Sequence, residues 1–373
     1  MPAAEGAVVP AAPVDAGVSA GTAPPRAPRH RDRRIDALKG FAIVCVVAYH
    51  AAGQYFSYSP TTGVVYYPWA VDFRALLFSF MLPLFTFMSG YVLGRVGGFR
   101  PRDYFWKRTL GLLVPYVAWE TIYGPGRDKH PEMLLSVGNF FSYYAHIFID
   151  PRWEGRMWYL YALWIVLMFL GVARLLGDRT WVLLLSVPLV WVIATYGEFN
   201  WIRWMYIYVV LGVLWRRYEP AIKPHLTAIG IAGALLYVPL RVGAERAGIL
   251  LEHLPKVLDS AQSVVLTFLP IAGGACAVAA LLAGSYHIGG AFESWLAVLG
   301  RLSLGIYVVH FPFVEMWRGM PAWFLPINVA VALVLASGIT LALGRWRVTA
   351  LLLLGEPWTR KPRPLGDVRT ETL

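Results

Sequence analysis

Apolar runs recur along this chain, at about 36–54, 69–94, 108–123, 157–175, 180–196, 202–216, 226–242, 260–283, 295–317 and 326–344. A helix needs about 20 apolar residues to cross a bilayer, fewer where the bilayer thins. In lipid the backbone amides must be satisfied internally, so such runs fold as helices. The pattern predicts an all-α fold, a polytopic transmembrane helix bundle of about ten spans. Composition agrees, with 58% of the 373 residues hydrophobic and 15% charged; a soluble core of this length could not hide so much apolar surface. Trp69, Trp158, Tyr196, Trp201, Trp215 and Trp317 stand at the ends of runs, where amphipathic rings collect at the membrane–water interface.

The net charge of +11 falls mostly between the runs. It therefore reads as a topology signal and an anionic-lipid contact, not as a nucleic-acid footprint. Arg95, Arg100, Arg102 and Lys107, then Arg174 and Arg179, then Arg216, Arg217 and Lys223 occupy alternate connections. The stretch from Tyr55 to Tyr67, on the other side, carries no charge. The positive-inside rule then places both termini in the cytoplasm and the chain in the plasma membrane as a multi-pass protein. Residues 1–32 read as a disordered cytoplasmic tail, 33–357 as the membrane domain and 358–373 as a second cytoplasmic tail. Three places strain this map. The connection 284–294 lacks Lys and Arg, 243–259 carries Arg246 and Lys256 on the outer side, and 133–149 is apolar enough for a short extra or re-entrant helix. Cys45 and Cys276 lie inside apolar runs without metal-ligand spacing, so they read as packed thiols, with no metal site expected.

The first run is unusual in its polar residues. Lys39 and His50 lie eleven residues apart, within about 20° of three full helical turns, and so share one face, about 16 Å apart along the axis. Asp36 stands one turn before Lys39 as a pairing neighbour, whereas Cys45 points away from His50. Two readings stand for this face. Lys39 snorkels to the inner interface beside Asp36 while His50 closes the outer end; or the pair lines an internal cavity, since ionisable groups at bilayer depth are costly and mark function.

The segment L-K-G-x8-Y-H, Lys39-x10-His50, resembles the first-helix signature of the acyltransferase-3 family of membrane O-acyltransferases. Arg is common at the first position there, and Lys occurs in a branch that includes fucose acetylase-like members. Phe78 to Tyr91 resembles the family's second-span motif, Lys107 to Tyr116 its basic-then-Pro-Tyr third-span motif, and Trp158 to Leu160 and Leu299 to His310 complete the series in family order over about residues 33–357. Two positions depart from the pattern: Met81 stands where the family frequently has His, and Gly111 where a second basic residue is often found.

The resemblance implies transfer of an acyl group, usually acetyl from acetyl-coenzyme A, to a hydroxyl on an extracytoplasmic or lipid-linked acceptor such as a glycan. Acyl-CoA then serves as a donor substrate, with no resident cofactor. Neutral His suits the base that takes the hydroxyl proton, which gives His50 the catalytic role. The anionic donor needs cations on the inner side, for which Lys39, Arg108 and Arg301 are the candidates. Ser303, Tyr307 and His310 share a face of the ninth run. His310 is either a hydrogen-bonded core histidine or, with Asp36, Ser303 and Tyr307, part of the support for the base or the acceptor. Glu315 lies nearer the outer end and is expected to face water. His130, Glu132, His146, Asp150 and Glu154 in the outer connection 124–156 suit sugar recognition and a solvated loop equally. The rival class is a transporter or flippase using the Lys/His pair as an ion or lipid path; it expects broken helices and paired halves, and neither is evident in the sequence.

Overall fold

The computed structural model describes residues 32–56, 58–59, 63–64, 67–94, 99–124, 136–149, 156–195, 200–249, 251, 254, 260–317 and 320–357. Of the tails assigned above at 1–32 and 358–373, all but Asp32 lies outside the described residues, as do His130, Glu132, Asp150 and Glu154. Among the described residues the ordered elements are helices and one antiparallel ladder of two residues per strand, Tyr58–Ser59 with Gly63–Val64, in register Tyr58↔Val64. The helices are α1 (Arg33–Ala52), α2 (Pro68–Leu93), α3 (Pro101–Arg108), α4 (Val114–Tyr123), α5 (Val137–Ile149), α6 (Trp158–Leu176), α7 (Thr180–Thr195) and α8 (Asn200–Ile222). They continue with α9 (Leu226–Arg246), α10 (Ala261–Gly284), α11 (Gly290–Arg301), α12 (Ser303–Val309), α13 (Phe311–Glu315), α14 (Leu325–Leu343) and α15 (Arg347–Leu354).

Among the described residues, six helical segments are long and apolar enough to cross a membrane, and a seventh if α11 and α12 count as one bent span. The ten expected runs all fall on helices, but four of them, besides the bent run 295–317, differ in kind from simple spans. The runs 202–216 and 226–242 lie in one segment, Asn200–Arg246, interrupted by a 3-10 turn at Lys223–His225. The run 180–196 is a shorter apolar helix. The run 108–123 is split by a π-helical turn, Thr109–Leu113. Pro115 explains this last feature: it has no N–H for the Gly111 carbonyl one turn earlier, and a wide turn absorbs the mismatch. Within the stretch 133–149, Val137–Ile149 forms a separate helix, α5.

The outward faces of α7, α9 and α14 expose Leu185, Leu189, Leu235, Val238 and Val334. Large apolar side chains exposed along three helices suit lipid and not water. Inside, α1 packs against α2, α11 and α14, and α2 against α8 and α10. Glycine sets two of these approaches. A Cβ at Gly40 would overlap the Leu296 carbonyl and one at Gly300 the Asp36 carbonyl; Gly90 and Gly212 stand likewise against the Val209 and Phe87 carbonyls. Backbones in such contact are the usual solution for helices in lipid, where close packing replaces the hydrophobic effect. Gly355, after α15, meets a related need: its φ is +62° and a Cβ there would overlap the Gly111 carbonyl.

One break was not legible beforehand. α11 and α12 bend by 63° at Leu302, so the chain has a broken helix of the sort the transporter reading expected. Both halves of the bent pair pack on α1, and His310, at the α12–α13 junction, is fully buried.

Candidate active site

Because α1 is one unbroken helix, Lys39 and His50 keep the common face that their spacing predicts. Each opens on its own cavity. Lys39 lines one of about 200 Å³ with Ser89 of α2, Leu112 of the π turn, Leu163 of α6 and Ser303 of α12. His50 lines one of about 170 Å³ with Tyr49, Arg74, Met81 and Trp158. Val46, Leu82, Tyr159 and Tyr307 line both. The two chambers therefore adjoin through a common partition, with a cation at one end and an imidazole at the other.

The His50 end is crowded with rings. Its imidazole stands 5.1 Å from His310, 4.6 Å from Phe311 and 5.1 Å edge-on from Tyr49, centroid to centroid. His310 is fully buried. Its Nδ1 lies 2.8 Å from the Tyr307 carbonyl oxygen and 3.1 Å from that of Ile306. A carbonyl can only accept, so Nδ1 carries the hydrogen and donates it. In the neutral ring Nε2 is then an acceptor, and it has no hydrogen-bond partner among the described residues.

Two guanidiniums flank this pair. Arg74 lies over the Tyr49 ring at 4.4 Å. Arg156 pairs with Glu315 at 2.8 Å and sits 5.8 Å from the Phe311 ring. Glu315 is thus half-buried in an ion pair, where the sequence led us to expect a water-facing carboxylate; the partner that changes its place is Arg156, remote in sequence. In the partition, Tyr159 shares a hydrogen bond of 3.2 Å with the Thr86 hydroxyl and packs edge-on to Tyr307 at 5.9 Å.

The remaining sequence-derived residues divide clearly. Ser303 and Tyr307 line the Lys39 chamber, and His310 touches His50. Arg108, half-buried at the end of α3 with its guanidinium 5.8 Å from the Tyr104 ring, lines neither chamber. Nor does Arg301, half-buried at the end of α11 beside the bend. Asp36 is buried where α1 meets α11 and lies outside both linings. His146 is exposed on α5 and bonds within its own turn to Ser142. Met81, where the family pattern favours histidine, is in the site, as an apolar wall beside His50. Cys45 lines neither chamber, and Cys45 and Cys276 are free thiols. Among the described residues no cluster of three His, Cys, Asp or Glu could hold a metal.

Sequence reasoning missed Arg74, Arg156 and Tyr159. Arg74 had a signal: it is an arginine inside the apolar run 69–94, where charge is costly. Tyr159 had one as well, as the middle residue of the Trp158–Leu160 motif, which was given no role in the site; Arg156 had none of its own, since its place depends on how α6 packs.

Comparison with known proteins adds one finding. Residues 32–345 match the model of a family described as an acyltransferase domain, Acyl_transf_3. No curated protein and no solved structure gives a significant match.

Proposed function

Since the chain belongs to the acyltransferase-3 family, a family of membrane acyltransferases, we propose that it moves an acetyl or similar acyl group from acyl-CoA to a hydroxyl of an extracytoplasmic or lipid-linked carbohydrate. The observation that carries this reading is the pair of adjoining chambers, one ending at Lys39 and the other at His50. Donor and acceptor differ in charge and in the side from which they come, and two chambers meeting at a partition suit two such substrates.

In this reading the Lys39 chamber takes the pantetheine arm, and Lys39 holds the donor end by charge-assisted bonds. Arg108 and Arg301 serve the donor's phosphates outside the chamber. The acceptor hydroxyl reaches His50. As its oxygen attacks the thioester carbonyl, its proton passes to the free nitrogen of His50. The C–S bond then breaks, and the imidazolium returns the proton to the departing coenzyme A sulfur. His310 acts as a positioning residue: its ring packs on that of His50 at 5.1 Å, centroid to centroid, and its open Nε2 acceptor would take the N–H of His50 once the two rings close, aiming the other His50 nitrogen into the chamber. We further infer ten crossings with both termini in the cytoplasm of the plasma membrane, supported by the placement of Arg and Lys between alternate helices.

The test compares alkali-labile acyl esters on cell-envelope glycans and secreted metabolites, by mass spectrometry, in a deletion strain carrying each variant. His50→Ala should remove the acyl mark while the protein still inserts, because a positioned base contributes about 10²–10⁴ in rate. Lys39→Ala should raise the donor requirement, and Lys39→Arg should largely preserve activity. An unchanged mark with His50→Ala would end the assignment.

A further inference from the structure

A carboxylate inside an apolar helix is costly to bury and needs donors around it. Glu120 is such a residue: it stands in α4, is fully buried, and has no part in the mechanism above. Its Oε1 accepts the Met157 backbone N–H at 2.6 Å, and its Oε2 accepts from the Tyr143 hydroxyl at 3.0 Å. Met157 is the residue before α6; its side chain makes no cap for that helix, and it is itself fully buried, so its amide has no water to turn to. Glu120 therefore caps α6 from another helix, at the end where a helix favours negative charge. The turn that begins there furnishes walls of both chambers. Trp158 lines the His50 chamber, Tyr159 the partition, and Leu160 and Leu163 the Lys39 chamber. Further along α4, the Tyr123 hydroxyl donates to the Val308 carbonyl at 2.9 Å, just before His310. Thus α4 holds both flanks of the His50 site, α6 through Glu120 and α12 through Tyr123.

From this we infer that Glu120 is a positioning residue for the transfer: by capping α6 it fixes Trp158 and Tyr159, so that an acceptor hydroxyl and not water meets the thioester. The inference rests on the acyl-transfer reading for its chemistry, and it adds a residue and a control over acceptor against water. In the competing reaction a water oxygen attacks the thioester carbon and its proton passes to His50. The C–S bond then breaks, the sulfur takes the proton, and a free carboxylic acid and the coenzyme A thiol leave. A loosened first turn of α6 would widen the His50 chamber at Trp158. It would also open the partition, where Tyr159 is held by its bond to Thr86 and its packing on Tyr307. Packing alone asks only for an apolar side chain of that size, and a carboxylate adds a desolvation cost that its bonds must offset.

Two substitutions of nearly equal size separate the cap from the packing. Glu120→Gln keeps an oxygen for the Met157 N–H, and Tyr143 can then donate to the main-chain carbonyl of residue 120, 3.2 Å away, while accepting from the amide. Glu120→Met keeps the volume and removes the acceptor. With the full chain in phosphatidylcholine nanodiscs, hydrogen exchange read by mass spectrometry reports on residues 157–160. Exchange there should be about tenfold faster or more in Glu120→Met and near its original rate in Glu120→Gln. Thiol release from acetyl-CoA with no acceptor present should rise by about tenfold in Glu120→Met, while the ester mark on the envelope falls. Glu120→Gln should restore both. Unchanged exchange in Glu120→Met would remove the cap, and unchanged thiol release would remove the control over water. Equal losses in Glu120→Gln and Glu120→Met would make Glu120 a carrier of charge or of a proton. Any of the three overturns the proposal. Should Glu120→Met fail to insert, Glu120→Asp, whose carboxylate stops one methylene short, takes its place with the same expectations. Exchange needs no acyl transfer, so it judges the cap even where a failed His50→Ala test has ended the transfer reading.

Discussion

His310 can face its partner in only one tautomer. With Nδ1 committed to the Tyr307 and Ile306 carbonyls, Nε2 is an acceptor held in a fully buried ring. Fixing the tautomer of a catalytic imidazole through the bond at its other nitrogen is a general device, and His310 is placed to do this for His50. His310→Ala should therefore lower kcat by less than His50→Ala does while leaving the donor KM near its original value. His310→Gln, whose amide oxygen can also accept, should recover part of the rate. A merely structural histidine would show neither the kcat-selective loss nor the rescue; steady-state kinetics on purified protein, with a melting curve for each variant, separate the two.

At the scale of elements, the glycine contacts decide how close α2 and α8 come. A methyl at Gly212 would overlap the Phe87 carbonyl oxygen, and no flexible side chain can give way there. Gly212→Ala should cost about 1–3 kcal/mol, the usual range for overpacking, read as a lower midpoint on heating in detergent. Gly338, in α14, has open space where its Cβ would be, so Gly338→Ala should be neutral or slightly stabilising by helix propensity. The same contrast explains what was legible beforehand. The face shared by Lys39 and His50 needs only the period of a helix, and the order of motifs needs only the chain. The π turn at Thr109–Leu113 and the bend at Leu302 need more. Pro115 disturbs a helix in many ways, and only packing selects a wide turn. No proline marks Leu302; there Gly300 is held against the backbone of α1 by a contact from the other end of the chain. The partners of Arg74 and Arg156 are of the same kind: Tyr49 and Glu315 become their neighbours only when α1 meets α2 and α13 meets the start of α6.

At the scale of the whole molecule, the two chambers divide the bundle along α1. About 16 Å of helix separates Lys39 from His50, and Val46, Leu82, Tyr159 and Tyr307 close the space between their chambers. If donor and acceptor arrive from opposite faces, this partition must keep water and polar reagents from passing while still letting two reacting atoms meet. Single cysteines placed on either side report that division. In a background with Cys45→Ala and Cys276→Ala, Ser89→Cys lies in the Lys39 chamber and Ala75→Cys in a cleft that shares Tyr49, Arg74 and Phe78 with the His50 chamber. A membrane-impermeant thiol reagent should label Ser89→Cys in inverted vesicles and Ala75→Cys in intact cells, with little crossover. Acyl-CoA should slow labelling of the first and leave the second unaffected. Labelling of both positions from one face would mean that the chambers share an opening, and a chain built that way would have to admit both substrates from the same side.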